Sequence, residues 1–518
     1  MAISRYLVFT TFICGAMVMV IELLGSRIIG PPFGVSLFIW TSLITVALVS
    51  LALGYWFGGA LADRMTSHGA LFGVIFLAGV FVLAIPLTKG FIIDIALSFG
   101  LRAGSLASSV ALFGPPLFLL GIVSPYIVRL YMSDGMGVGR TVGWLYAVST
   151  FGSFVGTVMT GFVLIPGLGV NNIIYLTALI LFALSAGYWA YFRQRVIAAA
   201  VLAIPIILAA SPAELPSMVR PDGTRVSVVE KKDSPYGQIK IVDYSYGDVT
   251  VREFLLENMI QGAVDTSTGL PISKYTYYAE QLALAYSPAS KRALVIGLGS
   301  GILPQRFSSY GIETDVVEID PGVVETASKH FSYDPGKHRT FIQDGRFFLR
   351  SPGDAYDVIF VDAFSGDTPP SHLVSVESFE LMKKRLTPDG ILLMNFIGES
   401  RTGDALVPSI VKETLNRVFP NVEVYTSPAY FSDVPTVVNM IFVAYEGDRT
   451  IDAGFIPKDF NPEYLEDLKG IYSRKITLGK SEFMFTDDYN PIDFYDLGTR
   501  ELFRQSIISS TDREIFIY

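Results

Sequence analysis

Apolar runs at 6–24, 36–60, 70–88, 105–128, 144–166 and 171–192 are each long enough to span the hydrocarbon of a bilayer, and a shorter seventh occupies 196–210. In that medium the backbone has to satisfy its own N–H and C=O groups, so runs of this kind fold as helices. Residues 1–210 are therefore expected to form a multi-pass α-helical domain of about seven helices, in a cell (inner) membrane with lipid as its surroundings. The first run is not followed by a small-residue cleavage site and reads as a retained helix, not a signal peptide. The stretch from Phe91 to Arg102 reads as a short interfacial helix.

The chain is 51% hydrophobic and 17% charged, and the apolar excess lies before position 210, so the composition break marks a domain boundary. With the N-terminus inside, the inner loops collect Arg5, Arg64, Arg129, Arg140, Arg193 and Arg195 against Arg27, Lys89 and Arg102 outside. That asymmetry favours an inner N-terminus. Seven crossings would then place the remainder of the chain on the opposite side. Glu22 and Arg27 read as an ion pair fixing helix packing or as part of a path for substrate or lipid. Gly54, Gly58 and Gly59 read as a close helix-packing face, with Asp63-Arg64 capping the loop that follows. This segment, L-G-Y-W-F-G-G-A-L-A-D-R, also resembles the cytoplasmic loop between the second and third helices of major-facilitator transporters.

After a linker at 211–224, residues 225–288 read as a small antiparallel sheet (R-V-S-V-V-E, Q-I-K-I-V-D, V-R-E-F-L-L) followed by a helix from Tyr275 to Ala285. Residues 289–518 then alternate apolar strands with helices: A-L-V-I-G, T-D-V-V-E-I-D, R-T-F-I-Q-D, Y-D-V-I-F-V-D and G-I-L-L-M-N-F-I. Nearly continuous apolar strands joined by crossovers imply a Rossmann-like α/β domain whose parallel sheet is covered on both faces.

The first of these strands ends in Gly297-Leu298-Gly299-Ser300-Gly301, and the second ends in Glu318, 21 positions after Gly297. Glycines let a phosphate or nucleoside approach the backbone, and an acid at the end of the next strand can accept from both ribose hydroxyls. The third strand ends in Asp344-Gly345, where a carboxylate can accept from an adenine amino group, and the fourth ends in Asp362. The competing reading is that these acids cap the helices that start beside them. A dinucleotide fingerprint would need a third glycine where Ile302 stands, so an adenosyl mononucleotide fits better. The net charge of −9 supplies no basic stripe for nucleic acid, and a single cysteine, Cys14, with four histidines gives no metal-ligand pattern.

These segments resemble the spermidine synthase (polyamine aminopropyltransferase) family over roughly 225–495. The E-L-L-G-S-R-I-I-G-P-P-F-G, W-T-S-L and S-P-Y-I-V-R-L segments of the first half resemble its membrane-fused bacterial members. By this resemblance L-L-E-N-M-I-Q places Gln261 in the nucleoside pocket, with Gln238 of S-P-Y-G-Q-I near it. Gly297, Gly299, Ser300, Gly301, Glu318, Asp344 and Gly345 hold the adenosyl donor, and Asp362 stands at the reacting centre. Tyr278 and Glu280 match a Y-x-E motif, giving Tyr278 a positioning role and Glu280 a place near the substrate amine. Tyr489-Asn490-Pro491 resembles a late Y-N-P segment, and the resemblance implies a possible homodimer. Two departures stand out. The family's glycine loop carries an aspartate where this chain has Ser300, and the second aspartate of its D-x-x-D-P, on the substrate-amine side, falls on Ser365, with Asp367 two residues on as its substitute. A carboxylate on an ammonium is a charge-assisted bond, about twice as strong as a neutral one, so the amine pocket is expected to differ from the family's.

The expected chemistry is transfer of an aminopropyl-type group from an adenosyl sulfonium, decarboxylated S-adenosylmethionine or S-adenosylmethionine, to an amine, with release of methylthioadenosine and without a metal. Asp362 would accept the amine proton or hold the amine in line. Three alternatives stay open at this point: intramolecular cyclisation or lyase chemistry on the same donor, methyl transfer, and a non-catalytic nucleoside or polyamine sensor in which Asp487-Asp488 serves as a cation patch.

Overall fold

A run of apolar residues continues as one helix until something breaks it, and the computed structural model shows where the breaks fall. It describes residues 2–34, 37–132, 137–193, 200–211, 215–364, 366, 368–401, 405–429 and 435–517. These divide into two compact units, Met1–Glu214 with Ile517–Tyr518, and Leu215–Phe516.

Among the described residues of the first unit six helices are long and apolar enough to cross a membrane: Ile3–Phe33, Phe38–Arg64, His68–Leu97, Gly100–Tyr131, Val138–Gly167 and Val170–Arg193. The seventh run does not match them. Its regular part is the apolar helix Ala200–Ala210, and at 1.5 Å per residue it spans about half of a ~30 Å hydrocarbon core. Nor is there a separate interfacial helix at Phe91–Arg102. Residues 91–97 prolong the helix His68–Leu97, and the break comes at Gly100, whose φ is +78°. The expected glycine face is real at two of its three positions. A side chain at Gly58 would stand 2.7 Å from Ile122 Cα, and one at Gly54 would collide with the Phe118 carbonyl, whereas Gly59 faces open space. Gly152 and Gly156 meet the backbone of Phe12 and Ala16 in the same way. Such small-residue contacts let helix backbones approach closely. Asp63 pairs with Arg129 at 3.2 Å across two helices and caps no loop.

The described residues of the second unit form two sheets. The first is an antiparallel meander of β1 (Ser217–Val219), β2 (Arg225–Asp233), β3 (Gln238–Tyr246), β4 (Val249–Leu256) and β5 (Met259–Asp265). Strand β1 lies inside the stretch expected to be a linker, because the turn Arg220–Thr224 folds Ser217–Val219 back onto β2. The second sheet comprises β6 (Arg292–Ile296), β7 (Glu313–Glu318), β8 (Thr340–Ile342), β9 (Tyr356–Val361), β10 (Leu386–Glu399), β11 (Asn421–Thr426), β12 (Val437–Tyr445) and β13 (Lys475–Ile476), in the order β13-β11-β12-β10-β9-β6-β7-β8. From β8 to β10 neighbours run parallel, as the apolar strands imply. Beyond β10 the sheet is antiparallel, because β12 returns along β10.

Apolar clusters cover both faces of this sheet, as a Rossmann-like domain requires. Strand order reverses at β6: the chain moves outward to β7 and β8, then returns to the other side of β6 as β9. That is the topological switch point at which open α/β sheets bind ligands, outside the carboxyl ends of the strands.

Candidate active site

At the switch point the end of β6 must pass close to the end of β9. Gly297 (φ +93°) makes that possible, since a side chain there would collide with the Asp362 carbonyl. Gly299 (φ +53°) lies against β5, where a Cβ would stand 2.8 Å from the Gln261 carbonyl oxygen. Neither the left-handed backbone nor the contact tolerates another residue. The loop therefore seats Gly299, Gln261 and Asp362 in the wall of one cavity.

Asp362 is the ionisable centre of that cavity. Its Oδ1 accepts from Asn395 Nδ2 at 2.8 Å and its Oδ2 from the Tyr275 hydroxyl at 3.2 Å. Asn439 Nδ2 in turn donates to Asn395 Oδ1 at 3.0 Å. Burial pushes the Asp362 carboxyl up to about 6, with the two donors pulling the other way. A buried carboxylate held only by neutral donors is a competent proton acceptor near neutral pH. Burial also drives the Tyr275 hydroxyl well above its ordinary value, and the neighbouring Asp362 adds to that, so Tyr275 stays a donor. Ser273 completes the polar wall, and Met259, Ile260, Phe364, Ile397, Phe503 and Ile507 are apolar.

The two acids expected on the adenosyl side stand at the ends of β7 and β8. Buried Glu318 accepts from the N–H groups of Leu298 at 2.8 Å and Asp320 at 2.9 Å, which ties its carboxylate to the glycine loop. Burial raises its pKa, against those two bonds. Asp344 caps the helix Gly345–Arg350 through the Phe347 N–H at 2.9 Å, and its other oxygen meets His372 Nε2 at 2.8 Å. Burial works against the Asp344 charge, but these two donors outweigh it and lower the pKa. The capping alternative thus holds for Asp344 and does not for Glu318. Gly345 lets that helix start against Ile296, and Gly301 packs on the Tyr333 ring.

Other expected residues lie elsewhere. Tyr278 is buried with its hydroxyl donating to the Asp467 carbonyl at 3.0 Å, and it does not line the cavity. Tyr275, one turn earlier on the helix Lys274–Tyr286, takes the place expected of it. Glu280 is occupied by Arg306, whose Nη2 lies 3.1 Å from Oε1 with a second, shorter bond from Nε. Gln238 opens β3 outside the cavity, its N–H donating to Glu257 at 2.8 Å. Ser300 is buried with its side chain against Gly262. Ser365 and Asp367 lie outside the described residues. Asp487 is held by Arg346 and by the Ser375 hydroxyl at 2.8 Å, which makes it a structural anchor and not a cation patch. Asn395 and Asn439 were not anticipated, although an asparagine within a buried apolar strand (L-L-M-N-F-I, V-V-N-M-I-F) is itself a signal.

The family described as "Spermine/spermidine synthase domain" matches residues 274–447. An N-terminal histidine N-methyltransferase of Emericella nidulans is 35% identical over 159 residues, covering 30% of this chain and 28% of its own length. A polyamine aminopropyltransferase of Vibrio vulnificus is 34% identical over 127 residues, covering 23% of this chain and 42% of its own. The chain thus spans less than half the length of these two curated relatives. The crystal structure of a spermidine synthase from Thermotoga maritima aligns over 56% of this chain and 95% of its own, at 19% identity and a TM-score of 0.35. The glycine loop, Glu318, Asp344 and Asp362 all fall within the matched segment, which is similar to a spermine/spermidine synthase domain.

Proposed function

We propose that the synthase domain transfers an aminopropyl-type group from an adenosyl sulfonium, decarboxylated S-adenosylmethionine, to an amine and releases methylthioadenosine. The observation that carries this is Asp362: a buried carboxylate at the switch point, held by neutral donors and open to a cavity shared with the glycine loop. The sulfur leaves as a neutral thioether and needs no acid, so the domain's tasks are to align the amine and take its proton. Glu318 would accept from the ribose hydroxyls, Gln261 and Gly299 would line the nucleoside, and Asp344 would exchange His372 for the adenine amino group. The helical unit would hold the enzyme at a bilayer. Six crossings return the chain at Arg193 to the side of its N-terminus, the side favoured by the arginine count, where cytosolic metabolites are met.

The test is product analysis of the full-length protein in detergent, given decarboxylated S-adenosylmethionine or S-adenosylmethionine, with and without an amine. Methylthioadenosine formed only with an amine supports the transferase. Its release without an acceptor points to cyclisation or lyase chemistry instead. The methyltransferase among the relatives gives methyl transfer a specific standing, and S-adenosylhomocysteine as the product would establish that reading in place of ours.

A further inference from the structure

A two-residue hairpin turn with both residues in the left-handed region is best made by asparagine or aspartate followed by glycine. The turn from β4 to β5 is made instead by Glu257, at φ +52°, and Asn258, at φ +61°. What these two residues hold accounts for the departure. Glu257 Oε1 accepts from the Gln238 N–H at 2.8 Å, and its carbonyl accepts from Arg504 Nη1 at 3.4 Å. Asn258 Nδ2 donates to the Phe516 carbonyl at 2.9 Å, while its Oδ1 accepts from Lys240 Nζ at 2.9 Å. Buried Lys240 also donates to the Ile515 carbonyl at 3.0 Å. A buried cation has to spend its N–H groups on acceptors, and these belong to the turn and to the last helical turn of the chain. The ion pair of Arg220 with Asp512, at 2.6 Å, ties the same segment to the turn after β1.

The segment so held is a C-terminal arm, residues 497–516, which lies beyond the 274–447 matched by the family. Its helix Leu497–Ser510 meets the turn through Arg504 and the cavity through Phe503 and Ile507. The latter two stand four positions apart and so share one side of the helix. Met259 and Ile260, the residues that follow the turn, line the same cavity. A tether at Asn258 therefore fixes the arm beside the wall that it completes.

Alkylation of an amine needs the nitrogen in line with the C–S bond, and Asp362 restrains only one end of the chain that carries it. The methylenes behind that nitrogen gain from an apolar surface. Phe503 and Ile507 supply one, where Asp362, Tyr275 and Asn395 supply the polar side. Resting on the transferase reading above, we propose that Phe503 and Ile507 contact the methylene chain of the reacting amine. Asn258 and Lys240 are positioning residues that hold the arm against the site.

The experiment measures methylthioadenosine release by the full-length protein from saturating decarboxylated S-adenosylmethionine, with the α,ω-diamines from 1,3-diaminopropane to 1,6-diaminohexane as acceptors. For the best accepted diamine, Phe503→Ala should raise KM at least about fivefold and leave kcat within about twofold, because the contact persists from ground state to transition state. Phe503→Leu keeps an apolar side chain and should recover most of that rise. Asn258→Gly keeps the turn, since glycine adopts positive φ freely, but loses the tether and should raise KM at least about threefold. KM does not depend on the fraction of folded molecules, so partial misfolding does not mimic the result. An unmoved KM in Phe503→Ala removes the arm from the substrate, and an unmoved KM in Asn258→Gly removes the turn from its positioning role. Wild-type turnover in either case leaves the transferase standing. A wild type that releases no methylthioadenosine with any of the diamines overturns the transferase reading and the arm's role with it.

Discussion

Two buried carboxylates, Glu280 on the helix Lys274–Tyr286 and Asp362 at the end of β9, have opposite kinds of partner. Glu280 leaves the helix itself and meets a guanidinium: Arg306 grips both its oxygens and also bonds to the carbonyls of Lys458 and Asp459. Among the described residues Asp362 meets no cation. Its donors are a phenol and an amide, and its remaining exposure is to the cavity. Burial raises the pKa of both. An ion pair with several backbone acceptors is a structural clamp that holds the segment at Lys458–Asp459. A carboxylate restrained by neutral donors keeps its basicity, which a proton acceptor needs.

From that contrast, Asp362→Asn should lower turnover at least about 100-fold, or ~3 kcal/mol in the barrier, while the donor still binds. Product release near the wild-type rate would remove Asp362 from the mechanism. Stability should move the other way, with a defined sign. The folded pKa of Asp362 lies above its ordinary value, so its contribution to stability is full below about pH 4 and is lost as the pH rises towards about 6. Asp362→Asn should therefore stabilise the protein by about 1–3 kcal/mol at pH 8 and by little at pH 4. Melting temperatures at the two values decide it.

Glu280→Gln should do the reverse, destabilising the unit by about 2–4 kcal/mol because Arg306 keeps its charge without a partner. Turnover per folded molecule should stay near wild type; a specific loss of turnover would return Glu280 to the amine site. Glu318→Ala should weaken nucleoside binding by about 1.5–3 kcal/mol, the scale of a charged hydrogen bond, and calorimetry with methylthioadenosine measures it.

The smallest effect separates the two tyrosines. The rate should rise with pH through about 6 as Asp362 ionises. Tyr275→Phe removes a donor to the charged form and should shift that inflection upward. Tyr278→Phe should leave it in place and cost about 1 kcal/mol of stability. A shift in the second variant and none in the first would restore Tyr278 to the site.

The helical unit was legible up to its ends. Long apolar runs become helices wherever the backbone has to satisfy itself, so six of the seven expected spans match long helices in the structure. The seventh and the supposed interfacial helix misread short runs, where composition does not say whether a helix continues or stops. In the second unit the parallel strands, the glycine loop and the acids at strand ends were legible because each is a local pattern: a strand, then a turn, then a helix start.

The sequence by itself determined which residues can carry charge, turn sharply or lie in a buried strand. Tertiary structure alone decided which of them meet. Tyr275 and Tyr278 stand three positions apart, on nearly the same helical face, so spacing cannot choose between them; the cavity reaches only the first turn. Asn395 and Asn439 become one relay because β12 returns antiparallel to β10, a pairing that alternation cannot encode. Ser300 follows the same logic, since its side chain packs against Gly262 of a sheet that lies upstream in the chain. A one-dimensional pattern records local conformation, and a site is a coincidence of distant side chains that only packing creates.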